Sequence, residues 1–555
     1  MDRRMMLKTV AGAAGLALAG SGKVFAQPRT AADSVFVNGP VFTMQSSAPV
    51  VEAVAVKNGR IQAVGSRQDI EALCDERTKI IDLGGRSLSP GLIDAHSHLA
   101  AFGQMELYFV KVRPPEVHDF RSLGTVLARA AAGIPPGQWI VARGFSEFDE
   151  ERFPTRTVLD LAVPHHPTLV IHWTGQYGIA NTLALKTAGL LSADTRDPYG
   201  GKYLRDRRTG IPDGRLLHYP AIYSVYQPTM DEREEIDAVK WGAQRFVEEG
   251  VTCVHDNFAS VHSSMAYITL ERSGQLPLRV RLYPYVPNLE LCQTLLTRAR
   301  RYSGPLVRMQ GVKLAVDGYP LMYDVLPQHQ PLNIPMHPPD QFQSIVSAIH
   351  NEGLQVDIHA AGDRGVDLSL DALSRAAGGD RNVPTRRHRL EHCLFRSKRS
   401  GNRMADMGVP MCTQPAWIPV RAADMVRKLG AAQTMGMAPV ASYRRAGVQV
   451  SFGADVPASP THLPLDSIVS AMTRRAPGNI RLDPAEKLTF MEALEAHTIA
   501  AAYAAFDEQE MGSIEVGKLA DLAVWSADLR QVSEQNVQLL DVEATYLAGK
   551  RIHPA

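Results

Sequence analysis

The stretch "SPGLIDAHSHLA" at residues 89–100 sets two imidazoles, His96 and His98, one residue apart at the end of an apolar run. In an extended strand residues i and i+2 face the same side, so both rings are presented together. Similar endings recur down the chain: His359 in "LQVDIHAAGD", His392 in "RHRLEHC" and Asp455 in "VQVSFGAD" each close a short apolar segment. A lone histidine on a strand is usually a core group. Imidazoles and a carboxylate gathered at several strand ends are instead a donor set for Zn²⁺ or a similar divalent ion, one or two per chain.

Lys313, in "QGVKLAVDG", is the odd member of this set. An ammonium beside a divalent cation is repelled. Lys313 is therefore neutral, paired with a carboxylate such as Asp317 or Asp455, or converted by carbon dioxide into a carbamate anion able to bridge two metals. Physical reasoning alone leaves these alternatives open.

The elements that position these residues are short apolar segments separated by helix-like stretches. They run "GLIDAHSH", "GVTCVHD" (250–256), "LRVRLYPYV" (278–286), "QGVKLAVDG" (310–318), "LQVDIHAAGD" (354–363), "RHRLEHC" (387–393), "VPMCTQP" (409–415) and "VQVSFGAD" (448–455). Alternation of this kind predicts an α/β fold, a (β/α)8 TIM-like barrel whose active site gathers at the C-terminal strand ends. An open doubly wound sheet is the competing architecture, but no glycine-rich phosphate loop follows the first strand. The barrel is assigned to residues 89–99 and 236–505. The first two strands are separated by about 150 residues, far beyond an ordinary crossover. Residues 100–235, with "QWIVARGF" and "TLVIHW", are therefore expected to form an insertion subdomain over the barrel mouth. Residues 33–88 and 506–555 share a β-rich, glycine-punctuated style and predict one small β-sandwich domain built from both chain ends.

The first 27 residues have a charged start, a short apolar run and a small-residue end at Ala26. An apolar run of roughly 11 residues falls short of the about 20 that span a bilayer, so the segment reads as a cleavable export signal. Arg3-Arg4 with Leu7-Lys8 give it a twin-arginine character, which implies the twin-arginine export machinery as a partner and the periplasm as destination. The mature chain offers no transmembrane segment. A formal net charge of +1 gives no electrostatic case for nucleic acid. Five scattered cysteines make neither a disulfide framework nor a thiolate metal site.

Taken together, these motifs resemble the metal-dependent amidohydrolase superfamily, in the branch that includes N-substituted formamide deformylase. "PGLIDAHSH" is similar to that family's first-strand motif, "GVKLAVDG" to its fourth-strand lysine segment, and "IHAAGDRGVD" and "RLEHC" to its fifth- and sixth-strand histidine motifs. "SFGADVP" is similar to the eighth-strand motif. The resemblance implies His96, His98, His359, His392 and Asp455 as metal ligands, Lys313 as a carboxylated bridge, and Asp455 and His392 as catalytic groups. It is also compatible with a homo-oligomer. Gln176 stands where the branch has a histidine, His218 where it has a glutamate, and the stretch after Gly318, beginning at Tyr319, differs as well. These positions, with Trp417 after the seventh strand, are the expected substrate contacts.

The chemistry so implied is hydrolysis of a C–N bond in a small, partly apolar amide, with Asp455 as general base and acid. A heterocycle deaminase, or a lyase or isomerase on the same metals, is the alternative; a binding protein that lost turnover is a weaker one. His255 is expected either behind a ligand or in the core, and His462 either in contact with substrate or, more often for such a residue, without a role in the site. The basic run "RNVPTRRHR" at 381–389 is expected to be solvated.

Overall fold

The computed structural model describes residues 30–145, 154–298, 302–318, 320–324 and 333–554. The leader-like segment 1–27 and Tyr319 lie outside the described residues. No described helix is long and apolar enough to cross a membrane.

Both chain ends form sheets because their β-branched runs are cut by residues that tolerate positive φ. Asn58-Gly59, at φ 50° and 74°, fold Ala53–Lys57 back onto Arg60–Gly65. Ala548-Gly549, at φ 48° and 73°, do the same for Val542–Leu547 and Lys550–His553. Two successive residues of positive φ give the tight hairpin turn whose twist suits paired strands. A six-stranded sheet carries Lys550–His553, Val542–Leu547 and Leu522–Trp525 from one end of the sequence, followed by Leu88–Pro90, Val41–Phe42 and Val50–Val51 from the other. A single buried cluster, including Phe36, Val54, Leu88, Ile514, Leu522 and Tyr546, draws on both ends. The division placed at residue 89 falls inside Leu88–Pro90, which pairs with Leu522–Trp525.

Between these ends runs a series of parallel strands: β1 (Leu92–Ser97), β2 (Val251–Ala259), β3 (Arg279–Pro284), β4 (Val307–Met309), β5 (Gly311–Ala315), β6 (Gln355–Ala360), β7 (Arg389–His392), β8 (Met411–Thr413) and β9 (Val450–Phe452). They make two arcs, in the orders β4-β3-β2-β1 and β5-β6-β7-β8-β9. β4 and β5 are separated only by Gln310, whose N–H bonds to Leu282 O at 3.0 Å. The arcs touch at both edges. A parallel bridge pairs Tyr285 with Lys313, and at the other edge Asp455 N–H donates to His96 O at 2.7 Å. Gly453 permits that second approach, since a Cβ there would lie 2.4 Å from His96 N.

Helices cover the strands by burying one face each. Glu232–Glu248 starts at a reciprocal cap between Asp231 and Glu234 and buries Ala238, Val239, Ala243, Phe246 and Val247. It lies against Leu99–Tyr108 so closely that a Cβ on Gly103 would be 2.0 Å from Ala238 O. That pairing ties Leu99–Tyr108 to the strand layer, so the division placed at residue 100 cuts through a helix packed on the strands. The next segment builds a six-stranded sheet in the order Lys202–Arg205, Pro212–Leu217, Tyr177–Ala180, Thr168–His172, Ile140–Phe145, Val110–Lys111. Separate apolar clusters pack there, one around Leu123, Leu127 and Phe145 and another around Leu185, Leu216 and Ile222.

The terminal sheet is tied to the parallel strands by buried charge. Arg279 on β3 meets Asp521, Nε to Oδ2 at 2.7 Å and Nη2 to Oδ1 at 3.1 Å, with both side chains almost fully enclosed. Removing one partner strands the other charge in a poor solvent. We expect Asp521→Ala to destabilise the chain by about 3–5 kcal/mol. Denaturant melts of the two proteins check this; a variant melting with wild type would show the pair to be dispensable.

Candidate metal centre

His96 is the penultimate residue of β1 and His98 is the residue from which Leu99–Tyr108 starts. Their Nε2 atoms lie 3.4 and 3.0 Å from the same Asp455 oxygen, Oδ1. The i, i+2 spacing thus delivers two imidazoles and, from just beyond β9, a carboxylate to one point, their atoms within 4.8 Å of one another. His392, at the end of β7, lies 4.8 Å ring to ring from His96 and 4.1 Å from His359 on β6.

Each ring is held differently. His96 Nδ1–H donates to Glu391 Oε2. Glu391 is gripped by Arg389, Nε to Oε1 at 2.6 Å and Nη2 to Oε2 at 3.1 Å. Arg389 also donates to Ala95 O at 2.6 Å and to His255 Nδ1 at 3.0 Å. His392 Nδ1–H donates to a neutral acceptor, Gln414 Oε1, at 2.7 Å, and its ring lies flat against Trp417 at 5.1 Å and 8°. In both cases the partner accepts the Nδ1–H and fixes the ring, so that Nε2 is the nitrogen that would face a metal.

The electrostatics agree with a cation site. Burial opposes ionisation of Asp455, yet His96 and His98 at its Oδ1 hold it well below the usual carboxylate range. Burial, reinforced by nearby positive groups, pushes His392 down to about 3 and His359 well below its usual value. Both are therefore neutral at pH 7, and the Nε2 atoms of both are buried with no hydrogen-bond partner. A buried polar atom without a partner is costly, and a metal would satisfy both. The residues present fit a divalent ion.

Lys313 is buried nearby on β5, and its Nζ donates to Asp357 Oδ1 at 3.2 Å. Neither Asp317 nor Asp455, the partners considered from sequence, holds it. Asp317 instead accepts backbone N–H bonds from Leu321, Ala361 and Gly362 at 2.9–3.0 Å. Asp357 is bound from its other side by Asn257.

The pocket above is walled by aromatics. Phe258 stacks on Tyr285 at 4.5 Å, and Tyr219, Trp417 and Gln176 complete the lining. His218 sits behind Gln176, its Nδ1 3.0 Å from Gln176 Oε1, at a φ of 64°. Burial lowers its pKa to about 4, so it is neutral. Of the substrate contacts read from sequence, Gln176 and Trp417 line the pocket, His218 stands behind the lining, and Tyr319 lies outside the described residues. His255 backs Arg389, whereas His462 packs on Phe102 and Phe246 away from the pocket. The 381–389 run is not uniformly solvated: Arg381 and Arg386 are exposed but Arg389 is wholly buried. Sequence reasoning missed Glu391, Gln414 and Asp357. Glu391 carried one signal, its place two residues after Arg389 on the same face of β7.

With this geometry established, comparison with known proteins is informative. Residues 79–553 match the amidohydrolase family. N-substituted formamide deformylase of Arthrobacter pascens is 30% identical, over 93% of this chain and 97% of its own. Protein LONG AFTER FAR-RED 3 of Arabidopsis thaliana is 29% identical, over 94% and 92%. The crystal structure of a metal-dependent hydrolase from Pyrococcus horikoshii superposes with a TM-score of 0.72 at 20% identity, covering 90% of this chain and 99% of that one. That likeness gives the parallel strands their fold, TIM-barrel-like α/β. The match over most of its length and the formamide deformylase relative agree: the chain belongs to the amidohydrolase family of metal-dependent hydrolases acting on carbon–nitrogen bonds.

Proposed function

We propose that this chain hydrolyses the amide C–N bond of a small, partly apolar substrate, with Asp455 as general base and acid. The observation that carries the reading is the convergence of His96 Nε2, His98 Nε2 and Asp455 Oδ1 beside the partnerless Nε2 atoms of His359 and His392. These five residues would hold the metal, for which Zn²⁺ suits the nitrogen and oxygen donors. When bound, such an ion supplies Lewis acidity, lowering the pKa of water toward about 7 and polarising a carbonyl. A carbamate on Lys313 would require that side chain to leave Asp357.

The protein's own residues do the rest. Asp455, ionised and fixed by two imidazoles, accepts the proton of the attacking water and returns it to the leaving nitrogen, which makes the amine a competent leaving group. Phe258, Tyr285, Tyr219 and Trp417 enclose the apolar part of the substrate and thin the water around the reacting carbonyl. Gln176, oriented by His218, reads the polar end. The formamide deformylase relative supports an N-acyl amide as the substrate class. Several finer readings also belong to this proposal: a closed eight-strand barrel in which β4 and β5 are halves of one strand, a composite terminal β-sandwich, an insertion over the mouth, and export to the periplasm by the leader.

Two experiments test the reading. Purified mature chain, loaded with Zn²⁺, is expected to release amine from some of a panel of N-formyl, N-acetyl and longer N-acyl amides, and a chelator should abolish the release. Ammonia from amino-substituted heterocycles in place of amine would move the assignment to deamination. Separately, Asp455→Asn should keep the fold while turnover falls about 10²–10⁴-fold. Circular dichroism and initial rates measure both. A variant that keeps a tenth of wild-type activity would remove Asp455 from the proton-transfer role.

A further inference from the structure

The pocket meets its histidines with two unlike walls. His98 faces Phe258, ring to ring at 5.5 Å, with Tyr285 stacked on Phe258. His392 faces Trp417, and the segments carrying Gln176 and His218 close on that same side, since Tyr177, Leu217 and Trp417 share one apolar cluster. Gln176 is gripped twice by His218. The His218 N–H donates to Gln176 O at 2.7 Å, and ring Nδ1 lies 3.0 Å from Gln176 Oε1. Burial keeps His218 neutral, so the ring has one proton, and a nitrogen facing a carbonyl oxygen is the one that carries it. Gly318 leaves room for this grip: a Cβ there would lie 2.9 Å from Gln176 Oε1 and 3.0 Å from His218 Nδ1. With Oε1 taken, Gln176 has only its amide N–H groups to offer the pocket it lines. Thr174, beside it in the lining, spends its hydroxyl on His172 Nδ1 and Gln176 N–H. Trp417 adds a second donor. Its indole lies flat on His392, with Arg421 Cζ 4.0 Å from its centroid. It is 2% exposed, and its Nε1–H is buried with no hydrogen-bond partner. A buried donor left unpaired is costly, and a bound acceptor removes that cost.

We infer that Gln176 and Trp417 are a donor pair that selects the substrate: an amide with an apolar group on the Phe258 side and, on the Trp417 side, an uncharged oxygen acceptor such as an ether, ester or ketone oxygen. Gln176 and Trp417 touch that oxygen and determine specificity. His218 is a positioning residue, which acts by occupying Gln176 Oε1 and so leaves the amide nitrogen to face the substrate. The inference rests on the amide-hydrolase reading above and narrows its substrate class.

The test uses amides that differ at one position only. The N-benzyl amides of methoxyacetic, butanoic and N-methylaminoacetic acid place an ether oxygen, a methylene or a protonated amine at the same point. Phenylacetyl amides of 2-methoxyethylamine, butylamine and N-methylethylenediamine do so in the reverse orientation. In whichever orientation is turned over, zinc-loaded chain should favour the ether over both analogues by at least about tenfold in kcat/KM, since the analogues leave the two donors unpaired. Gln176→Leu and Trp417→Phe should each shrink the ether-to-methylene ratio by about three- to tenfold. His218→Ala should shrink it as well, and His218→Asn should restore it. Asparagine places an amide nitrogen where Nδ1 lies and tolerates the φ of 64° found there. A purely structural role for His218 would lower all substrates together and leave the ratio unmoved. Equal rates on ether and methylene, a preference for the amine, or an unchanged ratio in folded Gln176→Leu and Trp417→Phe would overturn the inference and leave hydrolysis intact. So would turnover of other N-acyl amides with none of these. If no amide at all is hydrolysed, the hydrolase reading falls and calorimetric binding of the same compounds decides the donor pair: tighter binding of the ether upholds it, and equal binding or none overturns it.

Discussion

A carboxylate with no access to water stands at the middle of this molecule, and much of the arrangement follows from keeping it charged. Left alone, a buried Glu391 would take up a proton and could no longer accept one firmly from His96. Arg389, two residues earlier on β7, prevents this, but a buried guanidinium must then find acceptors for its own remaining N–H groups. It finds Ala95 O on β1 and His255 Nδ1 on β2. Three strands remote in sequence are thereby fixed in one register around one charge pair. Asp357, Asn257 and Lys313 extend the polar set inside the strands. This interior is hydrogen-bonded where such strands ordinarily pack branched aliphatics.

Much of the site was legible because its donors sit at strand ends, and strand ends announce themselves as a polar residue closing an apolar run. His96, His98, His359, His392 and Asp455 were all read that way. Their supporting partners were not, for a physical reason: the bond from His96 to Glu391 joins residues 295 apart in sequence, and that from Lys313 to Asp357 joins residues 44 apart. Neither separation leaves a local pattern. Glu391 beside a histidine reads as a solvent-side neighbour, since alternation places adjacent residues on opposite faces. Arg389 was lost in a basic run of which its neighbours Arg381 and Arg386 are indeed exposed. Strand and helix types were legible from period and glycine turns, while divisions between layers were not. Leu88–Pro90 and Leu99–Tyr108 show why: an element's allegiance depends on which distant partner it meets.

The alternation rule fails at His392 because the backbone there leaves the extended region. His392 and Cys393 have φ of 73° and 42°, and Asp455 has 57°. For residues with a Cβ each such conformation costs about 1–3 kcal/mol. The turn at His392 lets two adjacent side chains serve one imidazole: Glu391 bonds His96 from behind, and His392 stands 4.8 Å from the same ring. The turn at Asp455 occurs where its N–H meets His96 O at 2.7 Å while its carboxylate reaches the Nε2 atoms of His96 and His98. Backbone and side chain of one residue thus grip the same neighbour from two directions. A relaxed extended residue at 455 would carry its side chain elsewhere, so the strain is the means by which β1 and β9 present their donors to a single point.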